Sequence, residues 1–148
     1  MSWLPGLLFA GTALAALGWL RRRFLVVTVS GPSMEPTFHD GDRLLAVRRP
    51  AASLRTGQVV VADLHTRLPG AADGPAAAAG RQSGHRRVIK RIGAVAGEPV
   101  PPGVDAAPTV PPGMVVLLGD NPSASVDSRQ YGYVAAEQVI AVVLRRLR

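Results

Sequence analysis

Two residues in this chain have the type and setting for covalent chemistry on a carbonyl, Ser33 and Lys90. Ser33 lies in Ser30-Gly-Pro-Ser-Met-Glu-Pro-Thr37, directly after the β-branched, apolar run Phe24–Val29. Gly31 and Pro32 break that run, and Pro36 fixes the backbone again, so the serine sits in a short, stiff turn off a strand end. Such a turn can present a nucleophile. Lys90 stands out by composition. Of 17 Lys+Arg, 16 are arginine and Lys90 is the single lysine. Arginine stays protonated in proteins, whereas a desolvated lysine can lose its proton and act as a base. Lys90 is flanked by Val88-Ile89 and Ile92, which supply such a setting. A serine and a neutral lysine together point to a Ser-Lys hydrolase.

The elements that would position them are mostly strands. The sequence predicts strands over 24–29, 43–48, 59–63, 86–96 and 113–118, and a helix or strand over 134–143. Arg145 to Arg148 read as a basic tail. Turns are expected at 39–42 and 56–58, and Glu98–Pro112 is dense in proline and reads as extended connection. Residues 66–86 are rich in Ala, Gly and Arg without strand periodicity, and are expected to be a flexible exposed loop. With no long soluble helix, the domain over 24–148 is expected to be mostly β, built of short antiparallel strands.

Before it, Leu4–Leu20 is uncharged and mostly apolar. At 1.5 Å per residue it reaches about 26 Å, close to a ~30 Å hydrocarbon core, with Trp3 and Trp19 near its ends. Residues 1–23 are therefore expected to be a membrane anchor ending in Arg21-Arg22-Arg23. The net charge of +7 favours an anionic membrane surface over nucleic acid, since few aromatics interleave with the dispersed arginines. The chain has no cysteine, which excludes disulfides and thiol chemistry.

A third stretch, Gly119-Asp-Asn-Pro-Ser-Ala-Ser-Val-Asp-Ser-Arg-Gln-Tyr-Gly132, is dense in hydrogen-bonding side chains. Asp127 and Arg129 lie two apart, so on a strand they would share a face and pair. In order and spacing, Gly31-Pro-Ser-Met-Glu-Pro-Thr37 with Gly41-Asp42, then Val88-Ile-Lys-Arg-Ile-Gly93, then Gly119-Asp-Asn…Ser125-x-Asp-Ser-Arg129 resemble the motifs of the type I signal peptidases. These are Ser-Lys membrane proteases that remove signal peptides from exported proteins. The resemblance covers roughly residues 24–143.

The resemblance implies a role for each matching residue. Ser33 would attack the scissile carbonyl, and unprotonated Lys90 would take its proton and return one to the leaving amine. Ser125 would hold the lysine amine towards Ser33. The Ser33 backbone N–H would supply part of the oxyanion hole. A second donor that some members carry two residues earlier is replaced here by Gly31. Asp127, Arg129 and Arg91 would brace the site. Met34, Phe38 and Ile89 match positions lining shallow apolar pockets that accept small residues before the cut. Partners would be exported preproteins and membrane lipid, not nucleic acid, and no cofactor or metal is expected.

The departures are Pro32, Pro122, Ala96-Gly-Glu98 and a short connection between Lys90 and Gly119. They leave open a dedicated maturation protease for one exported protein or peptide. A non-catalytic membrane-anchored binding protein of the same fold is a further alternative, as is a Ser-His hydrolase using His39, His65 or His85. The family's catalytic domain lies outside the cytoplasmic membrane, which is the placement expected here. Arg21, Arg22 and Arg23 argue for the opposite orientation under the positive-inside rule.

Overall fold

The computed structural model describes residues 18–64 and 86–147. Seven strands form one antiparallel sheet: β1 Phe24–Thr28, β2 Arg43–Val47, β3 Val59–Leu64, β4 Arg86–Val95, β5 Met114–Leu118, β6 Val134–Ala135 and β7 Val139–Leu147. Their spatial order is β1-β2-β7-β3-β4-β5-β6. The mostly β, antiparallel architecture agrees with the sequence reading.

β3 shows why these residues make a central strand. Val59-Val-Val-Ala62 is buried at every position, and its alternate residues feed two different cores. Val60 and Ala62 join a cluster with Leu54, Ile92, Leu117 and Val142, while Val61 joins one with Val29, Leu44 and Ala141. A continuous β-branched run is what a strand covered on both faces requires.

Two regions differ from expectation. The segment 134–143 is split: two residues of β6, a 3-10 turn Ala136–Gln138, then β7. β7 also runs on to Leu147, so Arg145 and Arg146 belong to a strand rather than a tail. Pairing with β2 explains the extension, since Leu44 and Leu45 lie opposite Arg146 and Arg145. Ladder bonds to a neighbour hold a charged strand end that no hydrophobic alternation would have marked.

A bulge shapes β4. Ile92 pairs with Leu117 and Ala94 with Val116, leaving Gly93 as the extra residue. A Cβ there would lie 2.8 Å from Leu118 Cδ1, so a larger residue would have to displace the Leu118 side chain. The bulge lies three residues beyond Lys90 and bends the strand that carries it.

Among the described residues, no helix is long and apolar enough to cross a membrane. Residues 18–23 are helical and run directly into β1, but the rest of the expected anchor lies outside the described residues. So does the expected 66–86 loop except Arg86, which opens β4.

Candidate active site

The Ser33 turn is the connection of the β1–β2 hairpin. Val29 and Asp42 close it, with Val29 N–H donating to the Asp42 carbonyl at 2.8 Å and Gly41 N–H to the Val29 carbonyl at 3.0 Å. Gly31 enters at φ +85°, where a side chain is strained, and its N–H donates to Asp40 Oδ1 at 2.7 Å. Met34, immediately after the serine, is 1% exposed and roots the turn.

The segment after β5 clamps this turn from outside. Asn121 donates its backbone N–H to the Ser33 carbonyl at 3.0 Å and its side-chain amide to the Pro32 carbonyl at 3.2 Å. Asp120 accepts from Thr37 Oγ1 at 2.6 Å. The same carboxylate takes a two-pronged bond from Arg91, Nε to Oδ1 at 2.8 Å and Nη2 to Oδ2 at 2.7 Å. Arg91 thus links the lysine strand to the serine turn through Asp120. Its hydrogen bonds hold the Asp120 carboxyl below the usual range, against the opposing effect of burial. Gly119 is packed so closely that a Cβ would fall 2.7 Å from the Ser33 carbonyl oxygen and against Ser125 Oγ.

Lys90 lies opposite Val60 and shares its face of the sheet. It is 5% exposed, among the few buried polar side chains described. Its Nζ is 3.0 Å from Ser125 Oγ, which is in turn 2.6 Å from Asp127 Oδ2. Asp127 is completely buried and also accepts from Gly119 N–H at 2.8 Å and from Arg129 Nη2 at 2.6 Å. Burial pushes the Asp127 carboxyl up, but the Arg129 guanidinium, the Gly119 and Arg129 N–H groups and the Ser125 hydroxyl outweigh it, and the net direction is down.

An ionised carboxylate can only accept, so Ser125 must donate its single proton to Asp127. Lys90 is therefore the donor in its contact with Ser125. That arrangement fixes one N–H of the amine and with it the direction of the nitrogen's remaining valences.

Asp127 and Arg129 do pair, but not on a strand. Asp127 caps the short helix Ser128–Tyr131, accepting from Arg129 N–H, with Gln130 completing a capping box. An Asp followed three residues later by Gln is a helix-start signature, and local capping supersedes the strand reading. Ser128 is 1% exposed and accepts from Leu117 N–H at 2.9 Å, tying this helix to β5.

The sheet curls so that β1 and β4, four places apart in strand order, border one groove of about 840 Å³. Ser33, Met34, Ile89 and Lys90 all line it, together with Val26 and Val126. Phe38 does not line it: it packs instead against the core around Val27, Leu44 and Ala141. One turn after Met34, it faces inward beneath the hairpin connection, its N–H bonded to the Met34 carbonyl at 3.0 Å. Sequence reasoning named Asp120 and Asn121 only as polar residues and gave Thr37 no part. Their clamp on the serine turn joins segments 83 and 89 residues apart, for which no local pattern exists. Among the described residues, no group of three or more His, Cys, Asp or Glu is arranged to hold a metal ion.

The family profile described as signal peptidase, peptidase S26, matches residues 2–103 and 101–147. The chain is 32% identical over 131 residues to mitochondrial inner membrane protease subunit 1 of Schizosaccharomyces pombe, covering 84% of this chain and 73% of that protein. Sequence motifs and family profile converge, and the chain belongs to the type I signal peptidase family.

Proposed function

We propose that this protein is a membrane-bound serine endopeptidase that removes signal or leader peptides from exported proteins, with Ser33 as nucleophile and Lys90 as general base. The observation that carries the reading is the relay Lys90–Ser125–Asp127 at the wall of the groove that Ser33 also lines. Asp127 is matched by Arg129 and Asp120 by Arg91, so both carboxylates have a compensating cation of their own. Burial favours the neutral form of a lysine, which a base requires.

In the proposed reaction Ser33 Oγ attacks the scissile carbonyl carbon while Lys90 Nζ takes the hydroxyl proton. The C–N bond then breaks, the proton passes to the departing amine, and an ester to Ser33 remains. Water, deprotonated by the same amine, attacks that ester and releases the acid and Ser33. Among the described residues β1 is an edge strand, and it borders the groove, so an extended peptide can pair along that edge. Met34 and Ile89 would meet the small residues before the cut.

Membrane attachment is inferred from the apolar run at 4–20 and from the inner-membrane relative, with the catalytic domain on the extracytoplasmic side. Membranes carrying the protein are expected to cut a precursor with an Ala-x-Ala site, and those carrying Ser33→Ala are not. Tags at each terminus with protease protection on intact cells test the orientation: a protected C-terminus would reverse it.

A further inference from the structure

The proposed protease chemistry makes no use of the arginines where the helical turn 18–23 meets the sheet. Arg21, Arg22 and Arg23 end that turn, and Arg48 and Arg49 leave β2 beside them. The two segments are bonded together, Arg48 N–H donating to the Arg23 carbonyl at 2.9 Å, one position beyond the Phe24–Val47 pair. All five arginines are exposed, and among the described residues none is paired with a carboxylate. Trp19, Arg22, Arg23 and Arg48 line a concavity of about 230 Å³. The Arg23 guanidinium stands 5.4 Å from the centre of the Trp19 ring, yet the indole is still 60% exposed and Leu20 beside it 47%.

We propose that this shelf binds the phosphate of an anionic membrane lipid. Guanidinium groups brought to one concavity by two segments, Arg22 and Arg23 from one and Arg48 from the other, suit a phosphate, which arginine can grip by paired N–H donors. An exposed indole and leucine next to them suit the acyl boundary beneath the headgroup, a setting that a soluble anion does not offer. The apolar run at 4–20 ends within the shelf, at Trp19 and Leu20. Lipid also gives the three arginines after that run a role that does not require a cytoplasmic domain. The shelf lies at one end of β1 and the Ser33 turn follows the other. Five residues of strand separate them, about 16 Å at ~3.3 Å per residue. A lipid held on the shelf would therefore set the height of the groove above the bilayer surface.

The inference rests on the membrane setting proposed above, but its test is independent of cleavage. The full chain carrying Ser33→Ala, with Trp3→Phe so that Trp19 is the one indole, is titrated in zwitterionic detergent micelles with short-chain phosphatidylglycerol or phosphatidylcholine. Trp19 emission is read. Phosphatidylglycerol is expected to give a saturable blue shift at concentrations about tenfold or more below those phosphatidylcholine needs. Arg48→Gln with Arg49→Gln should weaken that response about tenfold or more, while Arg48→Lys with Arg49→Lys keeps it within about threefold. Equal response to the two lipids would overturn the proposal, as would an unchanged titration of the glutamine variant. Reproduction of the shift by inorganic phosphate alone would make the shelf a soluble-anion site and overturn the lipid assignment. Loss of peptide cleavage in the Ser33→Ala background leaves every one of these readings intact.

Discussion

Lys90 donates to Ser125 across 3.0 Å, and the direction of that bond is set by a third residue, because the Ser125 proton is committed to the buried carboxylate of Asp127. The amine is thereby oriented by a hydroxyl whose own rotation is locked. Ser125→Ala removes both bonds while deleting one oxygen. The expected result is a fall in kcat of about 10²-fold with KM little changed, since the loss is of base positioning rather than of peptide binding. Steady-state kinetics on a leader-peptide substrate would show it. A KM-dominated loss would place Ser125 in substrate binding instead.

Asp127→Asn should be far more damaging to the fold. The carboxylate is fully buried and satisfies the Arg129 guanidinium, two backbone N–H groups and the Ser125 hydroxyl. Leaving Arg129 without its anion is expected to cost about 3 kcal/mol. Chemical denaturation of wild type and variant at pH 7 checks this. Stability unchanged within ~0.5 kcal/mol would mean that other groups carry the segment.

Acid sensitivity follows from the same carboxylates. Asp127 and Asp120 are both held below their ordinary value of 3.8. A depressed folded value means that the unfolded chain takes up protons first as pH falls. The stabilisation is therefore complete above about pH 4 and is lost as pH drops through the lower folded values. Denaturation midpoints should be level from pH 7 to 5 and decline below 3.8, with a shallower decline in Asp127→Asn. A decline already complete at pH 5 would point to other groups.

Much of this architecture was readable beforehand, and the remainder has identifiable causes. β3 and β5 are legible because Val59-Val-Val-Ala62 and Met114-Val-Val-Leu-Leu118 are short, apolar, valine-rich runs bounded by turn residues. The Lys90 strand is legible from Val88 and Ile89, whereas the bulge at Gly93 appears only in its register with β5. The polar stretch 119–132 reads as functional, and its local form is set by the capping signal of Asp127 and Gln130, which competes with strand-like spacing. Phe38, which the resemblance matches to a pocket position, packs part-buried against the core around Val27, Leu44 and Ala141. The Thr37–Asp120–Arg91 chain left no trace in the sequence, as it exists only after the hairpin and β4 are brought together.

That chain gives a graded prediction. Arg91→Lys keeps the charge but cannot make both bonds to Asp120. The pair is partly exposed, with side-chain exposures of 35% and 15%, so stability should fall by less than about 1 kcal/mol. Activity is expected to fall more, about tenfold, because the link spans the serine turn and the lysine strand. Activity tracking stability one for one would remove the positioning role.

Gly31→Ser would place a hydroxyl two residues before Ser33, but at φ +85°. The strain should lower stability by about 1–2 kcal/mol. A thermal midpoint equal to wild type would show that the turn relaxes freely.

The central claim is that Ser33 and Lys90 act together on a peptide bond. Cleavage of an exported precursor with an Ala-x-Ala site by membranes carrying wild type, Ser33→Ala and Lys90→Arg tests it most directly. Lys90→Arg keeps most of the bulk but stays protonated and cannot serve as a base. Wild type should cut and both variants should be silent. Cleavage by Lys90→Arg would contradict the mechanism and move the base to another residue.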